Sequence, residues 1–124
     1  MTTTKPPKVT FRENDSLQDY FDDGEGNLYA VARLVDDTKS LPVFDAPLAA
    51  IQLASAPWDG SDMYALAFHV KRCMDADITC PILLDWRGRI ADGRHRVIKA
   101  LALGKRTIPA RRMTWKPDPD KKAE

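Results

Sequence analysis

One stretch of five residues, Asp92-Gly93-Arg94-His95-Arg96, combines a carboxylate, a glycine and three side chains that can carry positive charge. It stands where a predicted strand leads into a predicted helix. A helix N-terminus is already positive, so each cation in the first turn costs about a few tenths of a kcal/mol. Free backbone N–H groups, the helix dipole and two arginines would together hold a phosphate group. The stretch therefore predicts a phosphate site formed by Gly93, Arg94, His95 and Arg96.

Asp92, at the start of this stretch, has two interpretations. As an N-cap, its carboxylate accepts hydrogen bonds from free N–H groups of the helix. As a catalytic group, it acts as a general base or helps to place a metal ion for phosphoryl transfer. Asp45, Asp59 and Asp62 are the candidates for further metal ligands. A position of these carboxylates far from Asp92 would favour a binding module over an enzyme.

A β-hairpin is predicted to carry the phosphate site. Residues 81–85 and 89–93 are its two strands, because both are largely apolar and flank a turn signal. The turn lies at residues 86–88, where Gly88 takes a positive φ. The second strand then leads directly into the phosphate-binding stretch.

A helix and a last strand follow the hairpin. Residues 94–103 are predicted to be helical, with Gly104 at the position that ends the helix. Residues 107–113 form the last predicted strand. Pro109 lies within it, and a proline predicts an edge position or a strand end.

An earlier helix is predicted from an apolar stripe at helical spacing. Ser61 or Asp62 can cap its start, and Lys71 and Arg72 suit the negative pole at its end. The stripe consists of Met63, Leu66, Ala67, Val70 and Met74. We predict that the core of the protein includes Val70, Met74, Ile82, Leu84, Ile90, Val97, Ile98 and Leu101.

The region before this helix carries weaker signals. A short amphipathic helix is predicted within residues 13–25, because Leu17, Tyr20 and Phe21 recur at i, i+3 and i+4. Two glycines then end it. Residues 28–35 are a compact apolar run, which predicts a strand.

Composition limits the class of protein. The chain has 124 residues, of which 44% are apolar and 30% charged, as in an ordinary globular domain. It shows no apolar run long enough to cross a membrane and no signal peptide, so a cytoplasmic location is predicted. Cys73 and Cys80, with two scattered histidines, make a poor zinc site and are interpreted as small core residues.

Charge is distributed unevenly along the chain. Residues 1–86 hold 7 basic and 14 acidic side chains, whereas residues 87–124 hold 12 basic and 4 acidic ones. This predicts either a second half that faces an anion or two halves that attract each other. A DNA-contacting patch is one candidate, formed by Arg87, Arg89, Arg111 and Arg112, although the pI of 7.8 is low for a dedicated nucleic-acid binder.

Two further side chains have open roles. His69 lies on the polar face of the predicted earlier helix, where an ordinary exposed histidine is favoured over a place in the site. Trp86, at the predicted hairpin turn, is expected to cover the edge of the core rather than to stack on a base.

The order of these elements resembles the ParB/sulfiredoxin-like superfamily. Its pattern is an amphipathic helix, Pro-Ile with an apolar strand, Gly with a short strand, Asp-Gly-x-His-Arg, an Ala-containing helix, Gly, and a strand with Ile-Pro or Val-Pro. The matching residues here are Pro81-Ile82-Leu83-Leu84-Asp85, Gly88-Arg89-Ile90, Asp92-Gly93-Arg94-His95-Arg96, Ala100, Gly104 and Ile108-Pro109-Ala110.

The resemblance implies a small α+β domain, a mixed sheet with packed helices, over about residues 42–113. Residues 11–41 would then be an N-terminal extension with a short helix and a strand. Residues 1–10 and 114–124 are polar and proline-containing, which predicts disordered tails.

The resemblance also implies a ligand. Partition proteins hold the triphosphate of a cytidine nucleotide with the equivalent motif, sulfiredoxins hold ATP, and ParB-like free serine kinases use Asp-Gly-x-His-Arg in phosphoryl transfer. Carried over, Gly93, His95 and Arg96 contact the phosphates of ATP or CTP, with or without magnesium. Asp92 becomes a metal ligand or a general base.

Two departures narrow the choice. Arg94 stands where a sulfiredoxin has its catalytic cysteine, so we expect no sulfinic-acid reduction, and we expect no helix-turn-helix module. The first hypothesis is a stand-alone ParB-like domain that binds a nucleotide or nucleic-acid phosphate in DNA-associated metabolism, with nuclease or nucleotidase activity open. The alternatives are a small-molecule kinase and a non-catalytic regulatory or binding module. The oligomeric state is not predicted.

Overall fold

The computed structural model describes residues 5–13, 18–58 and 62–123. Its helices and strands alternate irregularly along the chain, as expected for an α+β fold. They are β1 (Tyr20–Asp22), β2 (Asn27–Ala30), α1 (Val31–Thr38), β3 (Phe44–Pro47), a short 3-10 helix (Leu48–Ala50), α2 (Met63–Asp75), β4 (Ile82–Leu84), β5 (Ile90–Asp92), α3 (Arg94–Ala102), β6 (Thr107–Arg112) and β7 (Lys121–Lys122).

The larger sheet has the strand order β3-β6-β4-β5. Strand β4 runs parallel to β6 and antiparallel to β5, while β6 is antiparallel to β3. Helix α3 packs on this sheet and buries Val97 and Ala100 against Ile82 and Ile108. A mixed sheet covered by helices confirms the predicted α+β class.

The hairpin and the helix after it form where the sequence predicts them. Strands β4 and β5 flank a turn in which Gly88 has φ +80°. Helix α3 begins at Arg94 and its last turn leads to Gly104, which has φ +73°. Only glycine adopts this left-handed backbone without steric cost, so Gly88 forms the hairpin turn and Gly104 ends the helix as expected.

The face that α2 buries is not the predicted one. Phe68 and Cys73 are buried, whereas Met63 is 88% exposed and Met74 70% exposed. The reason is tertiary: α2 packs on α3, and the N-terminal segment places the Phe11 ring near Phe68.

The predicted core is therefore right only in part. Ile82, Leu84 and Val97 are buried, and Ile90 and Ile98 are partly buried. The prediction is wrong for three residues that remain largely exposed: Val70, Met74 and Leu101.

Residues 18–38 also differ from the sequence prediction. The predicted helix within 13–25 is replaced, in its described part, by β1 and a turn in which Gly24 and Gly26 have positive φ. The predicted strand 28–35 is split into β2 and α1, because Leu34 and Thr38 turn inward at helical spacing. Leu17 lies outside the described residues.

Pro109 lies in an interior strand, so the predicted edge position is wrong. Strand β6 stands between β3 and β4, and Pro109 pairs with Asp45 of β3. Strand β4 pairs only with Ala110 to Arg112, so its ladder begins one residue after the proline. The missing N–H is therefore tolerated inside the sheet.

A smaller sheet, β1-β2-β7, joins the two charged halves of the chain. Strand β7 falls within the predicted disordered tail, yet it pairs with β2, and Asp120 accepts hydrogen bonds from Ala30 N–H and Arg33 Nε. Arg87 and Lys116 both contact Glu25. These contacts support the interpretation of two mutually attracting halves. The predicted boundary between residues 41 and 42 stays a prediction.

Two buried aspartates, Asp23 and Asp85, fasten the smaller sheet to the hairpin. Asp85 is fully buried and accepts hydrogen bonds from the N–H groups of Arg87 and Arg89 and from Arg89 Nε. The backbone oxygen of Asp23 accepts from both arginine side chains. Burial alone raises the pKa of Asp23, but hydrogen bonds from Asn27, the backbone and Tyr29 outweigh it and lower that pKa to about 2.

No helix in the described ranges is long and apolar enough to cross a membrane.

Candidate phosphate-binding cleft

The junction between β5 and α3 leaves the helix start without a side-chain cap. Gly93, rather than Asp92, is the N-cap residue, with φ +107°. Capping by Asp92 is thus not what the structure shows. The N–H groups of the first turn have no acceptor within the helix, so they remain available to a ligand.

Gly93 is required here for packing as well as for conformation. A Cβ atom at this position would lie 2.5 Å from Ile82 Cγ2 and 2.9 Å from Ile82 Cβ. Helix α3 can approach β4 this closely only because residue 93 has no side chain. The glycine therefore sets the position of the whole helix start.

Arg96 has a structural role. Its guanidinium donates to Asp92 Oδ2 at 2.9 Å and to the backbone oxygens of Cys80 and Pro81 at 3.1 and 2.5 Å. These bonds fasten α3 to the segment before β4. A contact between Arg96 and phosphate stays a prediction, as does a catalytic role for Asp92.

Two other arginines face the helix start. Arg94 is partly buried, and burial lowers its pKa while nearby Asp92 opposes that effect. Arg72, from α2, lines the same cleft. Neither side chain makes a hydrogen bond or an ion pair with any residue in the ranges 5–13, 18–58 and 62–123. From the sequence, Arg72 is expected only to suit the helix dipole, although its spacing from His69 places both residues on one helix face.

Two histidines meet in the cleft. His69 Nδ1 lies 2.9 Å from His95 Nε2, and one of the two nitrogens donates to the other. The Trp58 ring stacks on His69 with centroids 4.0 Å apart. Burial and then the charges of Arg72, His69 and Arg94 lower the pKa of His95 to about 4. His95 is therefore a neutral hydrogen-bonding group near pH 7, not a third cation, and His69 is not the ordinary exposed histidine expected.

The cleft has two connected parts. The first, of about 200 Å³, is lined by Trp58, His69, Arg72 and Arg94 beside the helix start. The second, of about 410 Å³, extends along Arg72, Asp77, Cys80 and Arg96. Asp92, Gly93 and His95 line both parts. The sequence-predicted stretch and α2 thus meet around one opening.

The proposed metal ligands do not meet there. Asp62 caps α2 by accepting from Ala65 N–H at 2.7 Å, and Asp45 is an exposed residue of β3. Neither lines either part of the cleft, and Asp59 lies outside the described residues. Within those residues no group of three potential ligands surrounds a common point.

Several other sequence interpretations have an outcome. Trp86 covers the core edge beside Phe21 and Tyr29, as expected. Cys73 is buried as expected, but Cys80 is exposed and contacts Asp77. The arginines predicted to contact DNA all donate to groups within the protein: Arg87, Arg89, Arg111 and Arg112.

The neutral state of His95 predicts a pH dependence of stability. Between pH 6.5 and about 4 the unfolded chain binds a proton at this residue that the folded chain does not. The contribution of His95 to the free energy of unfolding should therefore be fully present above pH 6.5. It should fall as the pH is lowered from 6.5 to about 4. After discounting for partial exposure, the loss amounts to about 1–2 kcal/mol.

Urea denaturation of wild type and of His95→Asn at several pH values measures this loss. Asparagine keeps a hydrogen-bonding side chain of similar size but does not titrate. The difference between the two proteins should shrink from pH 7 to pH 4. Parallel profiles would show that His95 does not titrate with a lowered pKa.

No family model and no curated protein matches the chain. A similar solved structure is the C-terminally truncated chromosome-partitioning protein ParB from Caulobacter crescentus, complexed with CTP-gamma-S. The similarity covers 60% of this chain at 18% identity and a TM-score of 0.43. The chain spans 46% of the length of that ParB chain.

Proposed function

We propose that this protein binds the phosphates of a nucleotide, or a nucleic-acid phosphate, at the start of α3. One observation carries the proposal: an uncapped helix start opens into a cleft flanked by Arg72 and Arg94, and no carboxylate of the described residues forms an ion pair with either arginine. Free N–H groups and guanidinium groups are the donors that phosphate oxygens accept best. Trp58 beside them offers an aromatic surface for a base.

We also propose a ParB-like domain with a role in DNA-associated metabolism and a cytoplasmic location. The support is the order of elements and the position of Asp92-Gly93-Arg94-His95-Arg96 at a strand-to-helix junction, as the resemblance implies. ATP and CTP, with or without magnesium, are the candidate ligands.

Binding without turnover is the form of this function that the contacts favour. The Asp92 carboxylate already accepts a hydrogen bond from Arg96 at 2.9 Å. Phosphoryl transfer or hydrolysis through Asp92 would require that ion pair to open. Nucleotide turnover by wild type and by Asp92→Asn, measured with magnesium, distinguishes an enzyme from a binding module.

Calorimetric titration with ATP, CTP and GTP, with and without magnesium, tests the proposal. We expect Arg94→Ala to raise the Kd about 10- to 150-fold, since a charge-assisted hydrogen bond contributes about 1.5–3 kcal/mol. The stability of Arg94→Ala should change little, because Arg94 makes no hydrogen bond or ion pair with another described residue. Arg106 is exposed and lines neither part of the cleft, so the control variant Arg106→Ala should bind nucleotides as wild type does.

Two results would refute the proposal. One is the absence of binding by all three nucleotides; the other is an unchanged Kd in folded Arg94→Ala. Arg96→Ala is less informative, since it also removes the bonds between α3 and the segment before β4.

A further inference from the structure

The N-terminal segment is fastened to α2 next to the phosphate-binding cleft. The Phe11 ring lies 5.2 Å from the Tyr64 ring and 6.1 Å from the Phe68 ring. Thr10 O accepts a hydrogen bond from the Tyr64 hydroxyl, whose oxygen in turn accepts from Arg12 N–H. These contacts determine where the Arg12 side chain lies.

Arg12 adds a third cation to the surface around the cleft. Its guanidinium carbon is 5.2 Å from the Phe68 ring centre, and that of Arg72 is 6.0 Å from the same centre. The two carbons are thus at most 11.2 Å apart, the sum of these distances. Burial and the charges of Arg72 and Arg12 lower the pKa of His69, so both cations act on this histidine. Among the residues described, no carboxylate pairs with either arginine.

The surface around Arg12 is a groove next to the cleft. It has a volume of about 290 Å³ and is lined by Arg12, Tyr64, Phe68 and His69. His69 also lines the phosphate-binding cleft, so this one residue borders both openings. Tyr64, which lines this groove, is 44% exposed.

We propose that the cleft and the neighbouring groove together bind a single-stranded oligonucleotide rather than only one nucleotide. One phosphate lies at the start of α3, a second lies at Arg12, and Tyr64 stacks on a base. Arginines interleaved with aromatic rings are the usual surface for single strands, because every base has a π face and every link carries a charge. The exposed Tyr64 ring favours this ligand over the tail of a nucleoside triphosphate, which has no base to place there. The inference rests on the phosphate site proposed above.

Fluorescence anisotropy with labelled hexanucleotides of cytidine or adenosine tests the inference, with the matching mono- and triphosphates as competitors. The hexanucleotide should bind about tenfold or more tightly than the monophosphate. Arg12→Ala should lower the affinity for the hexanucleotide about tenfold and that for the monophosphate by less than about twofold. Tyr64→Leu should weaken the hexanucleotide about fivefold or more, and more than Tyr64→Phe does. Lys8→Ala, a cation change in the same exposed segment, is the matched control.

The outcomes separate this inference from the proposed function. Equal affinity for the monophosphate and the hexanucleotide, with Arg94→Ala weakening both, would overturn the oligonucleotide site and leave the phosphate site standing. A second result would also overturn the oligonucleotide site. If Arg12→Ala weakened the binding of triphosphate and hexanucleotide equally, and Tyr64→Leu had no effect, Arg12 would be assigned to a polyphosphate tail. No binding of any ligand would refute both.

Discussion

Gly93→Ala should lower the free energy of unfolding by about 2–5 kcal/mol. The backbone at residue 93 has φ +107°, where a side chain costs about 1–2 kcal/mol. The new Cβ would also lie within 3 Å of two Ile82 atoms, and overpacking of this kind costs about 1–3 kcal/mol. Because the helix start must move to relieve the overlap, phosphate binding should be lost as well. Urea denaturation and nucleotide titration measure the two effects.

Gly26→Ala is the matched control for this change. Gly26 has a similar φ of +84°, but a Cβ there would meet no atom within 4 Å. It should therefore cost only the conformational part, about 1–2 kcal/mol. Placing Gly93→Ala on an Ile82→Ala background should reduce its cost, since the colliding Cγ2 atom is then absent. Equal losses at Gly93 and Gly26 would show that contact with Ile82 is unimportant.

Asp85→Ala should lower the free energy of unfolding by about 3–5 kcal/mol. Removing this buried carboxylate leaves two backbone N–H groups of the hairpin turn and Arg89 Nε without their acceptor. Domains of this size are stable by only about 5–15 kcal/mol, so the loss is a large share of the total. The urea midpoint should fall by roughly 1 M or more.

The control for Asp85→Ala is an exposed acidic residue in an ion pair. Asp36 pairs with Lys39 at 3.1 Å, and both side chains are more than 70% exposed. Asp36→Ala should cost about 0.5 kcal/mol, as exposed pairs contribute little. If Asp85→Ala were as mild as Asp36→Ala, the network between the hairpin and the smaller sheet would not stabilise the fold.

Local signals were enough to predict the hairpin and α3. Gly88 and Gly104 act through their own backbone conformations, and each stands at the boundary that its φ requires. The position of Asp92-Gly93-Arg94-His95-Arg96, the stretch proposed to bind phosphate, follows from the same boundaries. A sequence reveals such features well because they depend on neighbours a few residues away.

Features that depend on distant contacts could not be predicted in this way. The stripe of Met63 and Met74 has the spacing of a core face, yet Phe68 is buried instead, with the Phe11 ring of the N-terminal segment packed near it. His69 and His95 are 26 residues apart, and only the packing of α2 on α3 brings them together. Arg96 is a related case, since its partners Cys80 and Pro81 belong to another segment.

The pairing of β2 with β7 has a consequence for synthesis of the protein. Ala30 bonds to Asp120, which lies 90 residues later in the chain. At roughly 5–20 residues per second, translation needs on the order of 5–20 s to cover that distance. During that time β2 is already made but one of its edges has no strand to pair with. An unpaired edge is a template for other chains, so the nascent protein passes through a stage of several seconds in which aggregation competes with folding.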